Sequence, residues 1–311
     1  KEPGAILLVA CYELGHQPLG TAWAAAFLEE AGFAPAQLDL AVEELDLEAV
    51  RRARLVTLSV PMHTALRVGL DAARRIRAAN PDCVLVCFGL YAFLNREHLR
   101  TAGIDAVLAG ESEPALVDLA RRVDEGTWRR ETDAAPTLTR LPFPPPSRRD
   151  LPTLGRYAAL EREGRRVPAA AVEASRGCLS LCRHCPIPPV YGGRFFVVPP
   201  EVVLTDVRQV VAAGARHITF ADADFLNGPG HALRVTRDLH REFPEVTFDF
   251  TAKVAHLLRH RAALPTLAAQ GCLFIVSAVE SLSDRVLAIL DKGHDRADAE
   301  TALALVTAAG I

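Results

Sequence analysis

The feature that most restricts the fold is an alternation of short apolar runs, too brief for helices, with longer stretches whose apolar residues recur at helical spacing. It begins at Ala5 to Ala10 (AILLVA), followed after a polar loop by a helical stretch at Thr21 to Ala31 and, beyond Gly32, by a strand near Gln37 to Leu40. Runs at Leu55 to Val60, Val84 to Phe88 and Ala106 to Leu108 alternate in turn with helical stretches at Ala65 to Ala79, Asn95 to Ala102 and Pro114 to Val123. Strands separated by helices lie parallel, so residues 1–125 read as a doubly wound parallel-sheet domain of the α/β class, with ligands expected beyond the carboxyl ends of the strands.

Between residues 126 and 167 the composition shifts to Pro and Arg, as in LPFPPPSRRDLP, where prolines forbid a regular helix and favour an extended path. This stretch reads as a linker. The alternation then restarts: Ala169 to Ala174, Ile218 to Ala221, Val246 to Thr251 and Leu273 to Val279 read as strands. Helical stretches fall at Pro200 to Ala213, His231 to Phe243, Leu257 to Ala269, Asp284 to Leu290 and Ala297 to Ala309. Residues 168–311 thus read as a partial (β/α) barrel of four β-α units. Four strands do not close a barrel, and a fifth would be due where the chain stops at Ile311, so the sequence reads as C-terminally shortened.

Composition removes several function classes. The chain of 311 residues is 50% apolar and 23% charged with a net charge of -3, enough to bury a sizeable core and unlike a disordered or collagenous chain. No apolar run approaches the roughly 18 residues of a membrane span, and no secretory leader is visible, so no membrane association and a cytoplasmic location are expected. The 35 basic residues, all but three of them arginine, are offset by 38 acids and form no long stripe, which argues against nucleic acid as a partner.

The chemistry-bearing motif is Cys178-x3-Cys182-x2-Cys185, directly after the first strand of the second domain, on the face where barrel active sites lie. Three thiolates on one loop suit three irons of a [4Fe-4S] cluster and leave the fourth iron open to a small ligand. A zinc site completed by His184 or Cys272 is the alternative, without the second C-x2-C pair that zinc loops usually show. An odd total of seven cysteines in a chain without an export signal does not read as a disulfide framework. Cys11, Cys83, Cys87 and Cys272 lie in or beside apolar strands and read as small core residues.

On this motif the sequence resembles the radical S-adenosylmethionine (SAM) superfamily. Tyr191-Gly192-Gly193-Arg194-Phe195 with Pro200-Glu201, Ala221-Asp222-Ala223-Asp224-Phe225, Val279-Glu280-Ser281 and Lys292-Gly293 are similar to segments of its subfamilies that carry an N-terminal cobalamin-type domain. The resemblance implies a [4Fe-4S] cluster on Cys178, Cys182 and Cys185, whose open iron chelates SAM. It implies a SAM pocket drawing on His184, Asp222, Asp224, Lys253 and Glu280. His184 departs from the aromatic residue usual before the last cysteine. Asp222 and Asp224 equally suit a turn before Asn227-Gly228, Lys253 an exposed lysine, and Ser281 a helix cap.

In the first domain, Leu19-Gly20, Ser59 and Gly110-Glu111, with Gly89 after the fourth strand, are similar to a cobalamin-binding domain, which adds cobalamin to the implied cofactors. Glu13 to Gly20 lacks the D-x-H-x-x-G spacing that ligates cobalt, so His16 reads as a loop residue, and Leu90 and Tyr91 are bulky enough to fill the groove. A narrower similarity, carried by CRHCPIPPVYGGRFFVVP and TFDFTAK, is to the radical SAM family named for a CUAEP or CCAEP tail, which this sequence lacks. The implied activity is reductive cleavage of SAM to start radical chemistry on a small-molecule or peptide substrate, with electrons from a flavodoxin- or ferredoxin-type donor. With cobalamin the implied outcome is methylation; otherwise it is hydrogen abstraction or 3-amino-3-carboxypropyl transfer. A non-catalytic iron-sulfur or zinc protein is the reading from another class.

Overall fold

The computed structural model describes residues 2–130 and 135–311; the part of the expected linker at 131–134 lies outside them. Two compact units result, Lys1–Tyr157 and Ala158–Ile311. No helix among the described residues is long and apolar enough to cross a membrane.

The first unit runs β1 (Ile6–Ala10), α1 (Leu19–Glu30), β2 (Ala36–Asp39), α2 (Leu47–Arg52), β3 (Leu55–Ser59), α3 (His63–Ala79), β4 (Val84–Phe88), α4 (Leu90–Leu94), α5 (Arg96–Thr101), β5 (Ala106–Leu108) and α6 (Glu113–Asp124). All strand pairs are parallel, in the order β2-β1-β3-β4-β5. Every residue of β1 and β3 is buried, because helices cover both faces of the sheet, and this is why those strands read as continuous apolar runs instead of alternating ones. The order reverses between β1 and β3, the switch point at which such sheets open a crevice beyond their strand ends.

The proline-rich stretch packs onto this unit. Phe143 meets the rings of Trp23 and Phe27 with centroids 5.2 and 6.4 Å away, the Ser147 amide donates to the Ala22 carbonyl at 3.0 Å, and Gln37 Nε2 donates to the Ser147 carbonyl at 3.0 Å. Its prolines keep the chain extended, while Leu141, Phe143, Leu151 and Leu154 anchor it.

The second unit opens with an antiparallel hairpin, β6 (Ala159–Arg162) and β7 (Arg165–Val172), inside the stretch read as linker at its start. Its two-residue turn, Glu163-Gly164, has φ of 52° and 73°, the left-handed pair that matches strand twist. There follow β8 (Ser175–Gly177), α7 (Pro188–Tyr191), β9 (Phe195–Val197), α8 (Pro200–Ala212), β10 (His217–Phe220), α9 (Pro229–Glu242), β11 (Thr247–Thr251), α10 (Val254–Arg259), α11 (Leu264–Ala269), β12 (Cys272–Val276), α12 (Asp284–Leu290) and α13 (Arg296–Ala308). The helix expected over Leu257 to Ala269 is broken in two, because Pro265 lacks an amide hydrogen and starts a new helix instead of extending the old one.

The sheet order is β12-β11-β10-β7-β6, with β7, β10, β11 and β12 mutually parallel, and the fold is a partial (β/α) barrel. One face carries buried Ile218, Phe220, Phe248 and Phe250. The alternate positions are polar: His217 contacts Thr247 Oγ1 at 2.8 Å and Asp249 Oδ1 at 2.9 Å, and Thr219 Oγ1 donates to that oxygen at 2.7 Å.

Candidate active site

The cysteine loop hangs from a small ribbon in which β8 pairs antiparallel with β9. Gly177, at φ 78°, passes so close to β9 that an added Cβ would stand 2.3 Å from the Arg194 carbonyl oxygen, which itself accepts the Cys178 amide at 3.1 Å. A side chain there would force the ribbon apart. Beyond it the loop is pinned along its length: the Leu179 amide donates to Asn227 Oδ1 at 3.2 Å, Ser180 N to Cys178 Sγ at 3.4 Å, and Arg183 N to the Leu290 carbonyl at 3.0 Å.

Cys178, Cys182 and Cys185 line one cavity of about 140 Å³. Its wall includes Ala223 and Asp224 after β10, Thr251 to Lys253 at the end of β11, and Ala278 and Glu280 after β12, all at the carboxyl ends of the parallel strands. His184 and Lys292 complete it. Four of the five residues implied for SAM by resemblance, His184, Asp224, Lys253 and Glu280, are therefore brought together with the cysteines, although they come from points up to 96 residues apart in the chain.

Each has a defined partner. Lys253 Nζ lies 3.3 Å from Cys182 Sγ. Asp224, 1% exposed, accepts the Leu226 amide at 3.1 Å on Oδ1 and the Lys253 amide at 3.3 Å on Oδ2, and His256 Nδ1 lies 2.7 Å from Oδ2. Glu280 Oε1 takes His184 Nε2 at 3.1 Å and Lys292 Nζ at 3.4 Å. Partial burial opposes ionisation of Glu280, but the Lys292 ammonium, its hydrogen bond and His184 outweigh it and hold the carboxyl below its usual value. Glu280 also has φ of 69°, a conformation that costs a non-glycine residue about 1–3 kcal/mol and that the two contacts hold in place. Burial raises the Cys185 thiol.

Asp222 is absent from the cavity lining. Its carboxyl accepts the Ala174 amide at 3.0 Å and the Ser175 hydroxyl, joining β10 to the connection that leads into β8. Burial pushes it up to about 7. Two residues of the site were given no role from the sequence. Lys292, 5% exposed, is one of only three lysines and belongs to the Lys292-Gly293 segment that the resemblance includes; Asn227 looks like an ordinary turn residue.

The donor set suits a cluster better than an ion. Cys178, Cys182 and Cys185 line one cavity, as ligands to three corners of a cluster would. A zinc ion would need its ligands around one point. His184 is engaged by Glu280, and Cys272 is buried in β12 with Sγ on the Phe274 carbonyl at 3.5 Å. Cys11, Cys83 and Cys87 are likewise buried, and burial raises all three thiols, as expected of core residues.

In the first unit, Leu19 opens α1 and Ser59 ends β3, and Glu13 joins them: its carboxylate accepts the Leu19 amide at 2.7 Å, the Gly20 amide at 3.2 Å and the Ser59 hydroxyl at 3.3 Å. Glu13 is the organising residue that the motif comparison of this loop missed. Gly89, at φ 107°, lets the chain cross Val60 closely, since an added Cβ would stand 2.8 Å from its carbonyl oxygen. That carbonyl then accepts the amides of Tyr91 and Ala92 at the start of α4. Gly110 pairs with Thr137, whose carbonyl accepts the amide of buried Glu111 at 2.7 Å.

Fold and site together define a class: an α/β cofactor-type domain followed by a partial barrel whose strand ends carry three cysteines on one loop. Residues 5–120 match the B12 binding domain family, and residues 172–311 match the Radical SAM superfamily. The chain belongs to the radical SAM superfamily, in the form that carries a B12-binding domain ahead of the barrel.

Hopanoid C-3 methylase of Methylococcus capsulatus is 26% identical over 288 residues, 86% of this chain and 54% of that protein. A tRNA-2-methylthio-N(6)-dimethylallyladenosine synthase of Chlorobium limicola is 31% identical over 137 residues, 42% of this chain and 30% of that one. Among solved structures, the radical SAM methyltransferase TsrM of Kitasatospora setae with tryptophan and a SAM analogue bound has a TM-score of 0.76 at 19% identity, covering 98% of this chain and 66% of that one. The cobalamin-dependent SAM radical enzyme OxsB with aqua-cobalamin and SAM bound also gives 0.76 at 19%, covering 98% of this chain and 48% of that one. At these identities the likeness is one of fold. The chain spans 54% of the hopanoid methylase, about half its length.

Proposed function

We propose that this protein is a cobalamin-dependent radical SAM methyltransferase acting on a small molecule or peptide. The observation that carries the reading is the cavity in which Cys178, Cys182 and Cys185 meet Lys253 and Glu280 at the strand ends of the second unit. When bound, a [4Fe-4S] cluster supplies the electron that cleaves the SAM sulfonium, and cobalamin supplies a methyl carrier. The three cysteine thiolates hold the cluster. Glu280, kept ionised and oriented by Lys292 and His184, accepts hydrogen bonds from the SAM ribose hydroxyls. Asp224 orients the turn that presents Lys253. In the first unit, the crevice beyond β1 and β3, with Leu19, Ser59, Gly89, Gly110 and Glu111 around the strand ends, would receive cobalamin, and the Glu13 to Gly20 loop offers no histidine at the ligating spacing.

Radical SAM enzymes require a reductant, and a flavodoxin- or ferredoxin-type donor fits that need. The free thiols of all seven cysteines suit the reducing cytoplasm, where we place the enzyme. The balanced charge supports a partner other than nucleic acid.

Anaerobic reconstitution with iron and sulfide should give about four irons per chain, the content of one three-cysteine cluster. With SAM and a low-potential reductant, mass spectrometry should then find 5′-deoxyadenosine above a Cys182→Ala control. Methylthioadenosine as the sole nucleoside would reassign the bond that breaks to the aminocarboxypropyl arm. One tightly held zinc and no iron uptake would remove the enzymatic reading. Cobalamin uptake is read separately, from the absorbance of the loaded protein.

A further inference from the structure

We propose that Lys253 sets the reduction potential of the cluster held by Cys178, Cys182 and Cys185, and that Asp224 aims it there; the inference rests on the cluster reading above. Lys253 stands two residues beyond β11, where its ammonium lies 3.3 Å from Cys182 Sγ. The backbone on which it rides is fixed by Asp224, whose carboxylate takes the Lys253 amide at 3.3 Å.

The same aspartate reaches a second thiol through Asn227. Its carbonyl accepts Asn227 Nδ2 at 3.0 Å, and Asn227 Oδ1 in turn accepts the Leu179 amide at 3.2 Å and lies 3.9 Å from Cys178 Sγ. One buried residue beyond β10 thus touches the surroundings of two of the three ligands, through its carboxylate on the Lys253 amide and its backbone carbonyl on Asn227. Hydrogen bonds and charges around cluster sulfurs are among the levers that set iron-sulfur potentials.

The sign follows from charge. Reduction adds one negative charge to the cluster and its thiolates, so a cation at hydrogen-bond distance from one sulfur stabilises the reduced form more than the oxidised form. The alanines at 223, 252 and 278 add no charge to the cavity wall, and Glu280, which does, is engaged by Lys292 at 3.4 Å and His184 at 3.1 Å. The residue type fits as well. In a chain whose basic residues are nearly all arginine, both lysines beyond position 1 line this cavity, and a compact ammonium places a point charge on one sulfur where a guanidinium fork would spread over several acceptors. The sequence resemblance assigns Lys253 to SAM, whereas its position in the structure is on a cluster ligand.

The test is an anaerobic redox titration of the reconstituted protein without SAM, followed by electron paramagnetic resonance, with iron and sulfide measured for each variant. Lys253→Met should lower the midpoint potential. At a fixed solution potential near the wild-type midpoint, the reduced-to-oxidised ratio should fall about tenfold, equivalent to about 59 mV for a one-electron couple. Lys253→Arg, which keeps the charge, should recover most of the loss, and in an Asp224→Ala background the Lys253→Met shift should be smaller, because the ammonium is no longer held on the sulfur. Lys253→Gln supplies the measurement should the methionine variant lose its cluster. A midpoint unchanged in the neutral variants at full iron content, with only SAM binding weakened, would overturn the proposal in favour of a SAM-binding lysine. Failure of the wild-type protein to take up iron would overturn the cluster reading itself, and so separates the two.

Discussion

Asp222 offers a quantitative test of how the cysteine loop is attached to the barrel. It is 3% exposed, accepts the Ala174 amide and the Ser175 hydroxyl, and is raised by burial from 3.8 to about 7. Because the folded-state value lies above the unfolded one, the folded protein favours the protonated acid. Its contribution is therefore fully present below about pH 4 and is lost as pH rises toward 7. At about 1.4 kcal/mol per pKa unit, the rise from 3.8 to about 7 corresponds to about 4 kcal/mol across that window. Asp222→Asn keeps an acceptor for the Ala174 amide and removes the ionisation, so its stability should stay flat where the wild type declines.

Both tryptophans, Trp23 and Trp128, lie in the first unit, so fluorescence would report on the other half of the chain. Hydrogen-exchange protection of peptides spanning β7 to β8, corrected for the intrinsic pH dependence of exchange, reads the correct region. The wild-type minus Asp222→Asn difference isolates this carboxyl from all others. A difference that does not change between pH 4.5 and 8, or a variant that declines in step with the wild type, would show that the buried carboxyl is not the titrating group.

Gly177→Ala should cost about 1–3 kcal/mol from the positive φ, with the clash at the Arg194 carbonyl adding to it, and should lose most iron uptake on reconstitution; a full complement of iron would refute the ribbon argument. Glu280→Gln should weaken SAM about tenfold, or about 1.4 kcal/mol, read from the SAM-induced change in the cluster spectrum, while iron content stays unchanged. His16→Ala should leave the spectrum of bound cobalamin unaltered, and disappearance of an imidazole-cobalt signature in that variant would place a histidine on cobalt after all.

Much of the fold was legible because its causes are local. A run such as LVTLS or VLVCF is apolar on both faces and short, which suits a strand inside a covered parallel sheet, so the strands at Leu55–Ser59 and Val84–Phe88 follow from the residues themselves. The proposed cluster ligands were legible for the same reason, since Cys178, Cys182 and Cys185 share one loop at a spacing that suits three irons. The buried half of β7 was legible in Ala169 to Val172, but the hairpin was not, because β6 and the first residues of β7 are polar and Arg-rich and only the Glu163-Gly164 turn betrays them. Nor was the anchoring of the proline-rich stretch, which depends on where Trp23 and Phe27 stand on α1.

By itself the sequence determined two parallel α/β units and the three cysteines proposed to hold a cluster, because strand length, helical periodicity and cysteine spacing act within a few residues. Only the tertiary structure decided what surrounds those thiolates. Lys253 meets Cys182 across 71 residues, Glu280 meets His184 across 96, and Asp222 turns away to hold Ser175 while Asp224, two positions on, joins the cavity. These pairings depend on strand register and on loops that all empty at one end of a parallel sheet, and no local pattern encodes a distance of that kind.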